Sequence, residues 1–88
     1  MKVEGIFTIN CSRCGKSYDF TSEEVQFLPQ GPVDEQTYVW EKKYNCVKCG
    51  NPIHIRYEIS FATDGSINDK NVEVDGAKVI SDSFEFEI

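Results

Sequence analysis

Eighty-eight residues carry fifteen acidic and nine basic side chains, a formal net charge of −6, and four cysteines. A chain this short makes one domain, residues 1–88, whose core is marginal unless something staples it. The acid excess works against approach to nucleic acid, and no stretch nears the ~20 apolar residues of a membrane span.

In chain order, residues 3–9 read as a strand, with Val3, Gly5, Phe7 and Ile9 on one face and Ile6 and Thr8 on the other. It runs into Cys11-Ser12-Arg13-Cys14-Gly15. Tyr18 and Phe20, two residues apart, then mark a short strand. Thr21-Ser22-Glu23-Glu24 matches a capping box, with Phe20 and Val25 placed for a hydrophobic staple. At most one short helix is expected, over 22–27 and stopped before Pro29. An extended loop is the alternative, since the segment barely makes two turns. Residues 30–35, with the breaker pair Gly31-Pro32, read as loop.

Residues 37–45 read as a strand with Tyr38, Trp40 and Tyr44 on one face and Lys42 between them. It enters Cys46-Val47-Lys48-Cys49-Gly50. Residues 53–61 alternate most clearly: Ile53, Ile55, Tyr57, Ile59 and Phe61 against His54, Arg56, Glu58 and Ser60. The strands flanking the second cysteine pair are expected to form an antiparallel hairpin. Asp64-Gly65 opens a polar connection reaching about residue 71. Residues 71–74 and 77–81 then read as a hairpin about Asp75-Gly76, a pair suited to a type I′ turn. Residues 83–88 alternate again, Phe84, Phe86 and Ile88 against Glu85 and Glu87. As an edge, this strand either accepts a partner strand or is protected by its two glutamates.

All four cysteines lie in two C-x-x-C-G units with 31 residues between Cys14 and Cys46. Two cysteines three apart both point inward when the chain curls into a tight turn, so each unit supplies one edge of a thiolate tetrahedron. Backbone N–H groups within such a turn favour the thiolate. Glycine after the second cysteine suits a chain leaving at positive φ. Met1-Lys2-Val3-Glu4-Gly5 has no apolar signal region, so a reducing cytoplasm is expected, where paired C-x-x-C units mean metal rather than disulfides. Cys11, Cys14, Cys46 and Cys49 are thus the expected ligands of one structural Zn2+, with Fe the alternative. Four thiolates saturate the metal, so hydrolysis at an open position is not expected and neither is enzyme activity.

The two units resemble the paired knuckles of zinc ribbons and of rubredoxins. The run from Cys11 to Asp19 is similar to the first rubredoxin knuckle, in which C-x-x-C-G is followed three residues on by Tyr-Asp. Val47, not proline, follows Cys46, and Arg13 and Lys48 stand where rubredoxin knuckles are usually apolar. The likeness covers residues 6 to about 57. It implies a small, mainly β protein: a zinc-ribbon (rubredoxin-like) antiparallel sheet, here extended by a C-terminal β-hairpin and strand (62–88).

Charge is uneven along the chain: residues 1–41 carry −4, residues 42–57 carry +4 and residues 58–88 carry −6. Lys42, Lys43, Lys48 and Arg56 make the basic segment and are the candidate phosphate contacts of a nucleic-acid-binding ribbon, with Tyr44 or Trp40 stacking on bases. The aromatic stripe read simply as core is the competing and preferred account. His54, the one histidine, reads as a solvent-facing strand residue without catalytic partners. The 64–71 segment lacks the glycine and bidentate glutamate of a Ca2+ loop. The leading expectation is a non-catalytic zinc ribbon acting as a protein-interaction or accessory module. Nucleic-acid binding is the alternative, and a rubredoxin-like electron carrier ranks third.

Overall fold

Two-residue alternation is the chain's strongest local pattern, and the computed structural model turns nearly all of it into antiparallel sheet. It describes residues 2–29 and 37–87. The strands are β1 (Lys2–Glu4), β2 (Ile6–Cys11), β3 (Ser17–Thr21), β4 (Leu28–Pro29), β5 (Thr37–Asn45), β6 (Pro52–Phe61), β7 (Ile67–Asp75), β8 (Ala77–Asp82) and β9 (Glu85–Glu87). They form three ladders in the orders β1-β9, β3-β2-β8 and β4-β5-β6-β7, every pairing antiparallel. The expected small, mainly β architecture is the one the chain adopts. The expected loop at 30–35 lies outside the described residues. No helix of the described residues is long and apolar enough to cross a membrane.

β6 is the centre of the larger sheet. Its odd-numbered residues from Ile53 to Phe61 are all buried, while its even-numbered ones stay partly exposed, so one face is core and the other wet. The expected hairpin with β5 forms along its whole length, from Thr37↔Ser60 to Asn45↔Pro52. Tyr38, Trp40 and Tyr44 stand opposite Ile59, Tyr57 and Ile53, on the core face. The smaller sheet contributes Phe7 and Ile9 from β2 and Phe20 from β3. Phe7 lies 6.2 Å from Trp40 and 5.5 Å from Tyr57, edge-on to both, and 5.9 Å from Phe84 in a stacked pair. Each such geometry adds ~1 kcal/mol beyond the area it buries.

The structure corrects three local expectations and decides a fourth. The strand over 3–9 breaks at Gly5: β1 pairs with β9, while β2 pairs with β3 and β8. Ser83 seals the break, its Oγ accepting from Ile6 N at 2.9 Å and its own N donating to Ile6 O at 3.0 Å. Of the two readings of 22–27, the extended one forms and not the helix. One turn closes, with Glu24 N and Val25 N donating to Thr21 O at 3.0 and 3.3 Å, and the chain then extends into β4. A two-turn helix gains too little to offset its nucleation cost. Extended chain instead lets Phe27 reach Tyr57 at 5.5 Å and Phe86 at 5.2 Å.

The polar connection expected through residue 71 is shorter, because β7 already starts at Ile67. Asp64 Oδ1 accepts from Ser66 N and Oγ, closing the turn, and β7 runs beside β6 from there to Asp75. Its first five residues are all exposed, as an outermost strand permits. The hairpin about Asp75-Gly76 does not form. β7 pairs with β6, β8 pairs with β2, and the chain crosses between sheets at Gly76. A type I′ turn needs positive φ at both central residues. Here Gly76 has φ 80°, and no described residue other than glycine has positive φ. The C-terminal strand forms as β9, with Phe84 buried ahead of it, and β1 covers one of its edges. Ile88 lies outside the described residues.

One part-buried polar link joins β6, β7 and β8. Tyr57 donates its hydroxyl to Asp82 Oδ2 at 2.8 Å, and Lys70 Nζ lies 3.0 Å from the same oxygen. Tyr57→Phe is expected to cost about 1–2 kcal/mol, read as a lower urea midpoint. Burial, then the Asp82 carboxylate, pushes the Tyr57 hydroxyl well above the tyrosine range, and burial pushes Tyr44 up to about 12. Both keep their proton in the folded state where an unfolded tyrosine, near pH 10, loses it. Stability is therefore fully present below about pH 10 and declines above it. The urea midpoint should be flat from about pH 8 to 9 and fall beyond 10, less steeply in Tyr57→Phe.

Candidate metal centre

Each cysteine pair sits where one strand ends and its hairpin partner begins. The first spans the end of β2 and the approach to β3; the second spans the end of β5 and the approach to β6. The two turns share one backbone pattern. Gly15 N donates to Cys11 O at 2.9 Å and Cys11 N to Lys16 O at 2.9 Å. Gly50 N donates to Cys46 O at 2.8 Å and Cys46 N to Asn51 O at 2.8 Å. Gly15 and Gly50 both have φ 78°, with open space where a Cβ would stand, so conformation and not crowding requires glycine there.

The turns face each other across the gap between the sheets. Cys11 Sγ lies 3.6 Å from Cys49 Sγ and Cys14 Sγ 3.5 Å from Cys46 Sγ, and all four sulfurs fall within 4.8 Å of one another. A disulfide would bring sulfurs to ~2.05 Å, so these are four free thiols. A tetrahedron with ~2.3 Å metal–sulfur bonds has edges of ~3.8 Å, so the donor set fits a four-coordinate ion. Cys11 and Cys46 are buried, and Cys14 and Cys49 are half-buried. This is the one such group of three or more potential ligands among the described residues.

The thiols are not equivalent. The Tyr18 hydroxyl, donating to Cys46 Sγ at 3.2 Å, and then the N–H groups of Cys49 and Lys48 outweigh burial and hold Cys46 down to about 6. The Cys14 N–H does most to lower Cys11. At Cys49 the Asn51 N–H favours the thiolate, but burial and the three neighbouring sulfurs together push it up to about 11. Four crowded sulfurs resist joint ionisation on their own; a cation among them reverses that.

Two contacts that sequence reasoning missed hold the turns together. Gly76 O accepts from Ser12 N at 3.1 Å, Ser12 Oγ at 2.9 Å and Asn51 Nδ2 at 2.9 Å, so one carbonyl ties the first turn to the second. Tyr18, on β3, bonds the second turn. Its place in the Tyr-Asp run gave one hint; nothing local pointed to Gly76.

The four basic candidates are not assembled into one patch. Lys42 is on the core side of β5, its Nζ 5.7 Å from the Tyr44 ring. Lys43 and Arg56 are on the opposite face, level with His54 and Glu41. Arg56 Nη2 bonds Glu58 Oε2 at 3.1 Å, and Lys48 stands exposed at the tip of its turn. Trp40 is buried and Tyr44 packs edge-on to Tyr18 at 5.3 Å, so these rings are core. His54 lies on the wet face of β6, as expected, and its Nε2 is 2.6 Å from Glu41 Oε2. That contact lowers the Glu41 carboxyl. No protein-family model matches the chain, and neither does any curated protein or any solved structure.

Proposed function

We propose that Cys11, Cys14, Cys46 and Cys49 hold one Zn2+ as a structural centre. The protein is then a non-catalytic zinc ribbon of the cytoplasm, serving as a protein-interaction or accessory module. The observation that carries this is the convergence of two turns of like construction on a four-sulfur tetrahedron. Four thiolates leave no position for water or substrate, which supports a holding role over a hydrolytic one. Ligand geometry does not choose between zinc and iron. Exposed Arg13 and Lys48 and half-buried Cys14 and Cys49 describe a wet site, which favours zinc over a tuned one-electron couple.

A protein partner is preferred to nucleic acid because the cations are divided between two faces and Arg56 already has a carboxylate. Were Lys42, Lys43, Lys48 and Arg56 all on phosphates, duplex binding would weaken with salt at a slope of about −3.6. The expected result is no shift of mixed single- and double-stranded oligonucleotides even at low salt. Elemental analysis should find one zinc per chain in colourless protein, and its iron-reconstituted form should fail to cycle. Reversible iron redox chemistry would defeat the zinc reading, and retarded oligonucleotides the choice of partner.

A further inference from the structure

The likeness of the two cysteine turns makes one departure between them informative. At the residue after the first cysteine, Ser12 N donates to the backbone carbonyl of Gly76 at 3.1 Å. The equivalent Val47 N donates to the Tyr18 hydroxyl at 3.0 Å. A carbonyl only accepts, whereas a phenol that has accepted still has its own proton to give. Tyr18 gives it to Cys46 Sγ at 3.2 Å. The second turn is thus fastened by a side chain of the other sheet, through a bond the first turn has no counterpart for.

We propose that Tyr18 is a positioning residue of the metal centre. It locks the Cys46–Val47 turn in its ligating shape, raising affinity for the ion and slowing its release, and it withdraws charge from the Cys46 sulfur. The inference rests on the metal reading above and adds to it a residue outside the cysteine motifs. Burial works against solvent taking the phenol's place, since Cys46 is 2 % exposed. Hydrogen bonds to an ionised acceptor are about twice as strong as neutral ones, so metal binding at Cys46 and docking of β3 on the second turn reinforce each other.

Tyr44 supplies an internal control. Its ring packs edge-on to that of Tyr18 at 5.3 Å, and its buried hydroxyl has no hydrogen-bond partner among the described residues. Tyr18→Phe and Tyr44→Phe each delete one phenolic oxygen from the same aromatic pair. Only the first touches sulfur.

The test compares both variants with the wild-type chain as Zn2+ and Co2+ forms. Zn2+ affinity is read by competition with a chromophoric chelator, and the sulfur-to-cobalt charge-transfer bands report electron density on the thiolates. Tyr18→Phe is expected to lose about tenfold in affinity. Its charge-transfer bands should move to lower energy, while Tyr44→Phe matches wild type in both. Identical affinity and bands in Tyr18→Phe and wild type overturn the proposal. If Tyr18→Phe does not fold, wild-type protein loaded with cadmium-113 decides: coupling between the Tyr18 hydroxyl proton and the metal supports the bond, and its absence with free solvent exchange sinks it. Wild-type protein that takes up neither Co2+ nor Cd2+ on sulfur fails differently, removing the metal reading and this inference together.

Discussion

Chelation of the metal from the wild-type protein is expected to unfold it. Cys11 and Cys14 extend from the β3-β2-β8 sheet and Cys46 and Cys49 from the sheet centred on β5 and β6, so an ion held by all four would be a covalent-strength link between layers. A structural zinc contributes on the order of 10 kcal/mol of apparent folding free energy. That rivals the whole net stability of a small domain, about 5–15 kcal/mol. Trp40 reports the event directly, since it is the one tryptophan and sits 5.3 Å from Phe20 across the gap between sheets. Removing the ion should shift its emission to that of a solvated indole and abolish the far-ultraviolet β signal, and Cys46→Ser should do the same without chelator. Acidification should act likewise as thiolates protonate and release the ion. A metal-free chain that still unfolds cooperatively with native Trp40 emission would falsify the structural role of the site.

Gly76→Ala is expected to be among the most damaging single substitutions outside the cysteines and the core. A Cβ there would lie 2.1 Å from Pro52 O and 3.2 Å from Asn51 Nδ2, at a φ of +80° that already costs an alanine. Backbone cannot step aside as a flexible side chain can, so the corner must move. Moving it separates Gly76 O from Ser12 and Asn51, the donors that join the two turns. The expected loss is at least about 3 kcal/mol, combining dihedral strain with displacement of a hydrogen-bonded crossing. Gly65→Ala makes the comparison clean, for Gly65 has φ +88° and open space around it. It should lose only about 1 kcal/mol. Urea midpoints measure both, and chelator competition should show weakened metal binding in Gly76→Ala alone. Equal losses in the two variants would mean that φ, and not the contact with Pro52, sets the requirement.

The residues that could be read without a structure are those whose environment follows from their immediate neighbours. β6 was legible because it is central and one-sided, so every second residue had to be apolar. Its hairpin with β5 followed from the short second cysteine turn, and the meeting of the four cysteines from their paired spacing. The aromatic stripe of β5 was legible as core for the same reason.

Elsewhere the local signal was compatible with more than one partner. Asp75-Gly76 carries turn chemistry, yet positive φ at glycine serves a sheet-to-sheet corner as well as a hairpin. β8 pairs with β2, some seventy residues earlier in the chain, so nothing nearby could announce it. The first half of β7 is polar because an outermost strand needs only backbone partners, and it therefore resembled a loop. Tyr18 marked only a short strand until β3 was placed against the second turn. The amino-acid sequence by itself determined the strands with a buried face and the identity of the four clustered sulfurs, because periodicity and cysteine spacing act within a few residues. Tertiary structure alone decided which strands became neighbours and which hydroxyl and carbonyl close around the site, because those choices depend on atoms brought together from distant parts of the chain.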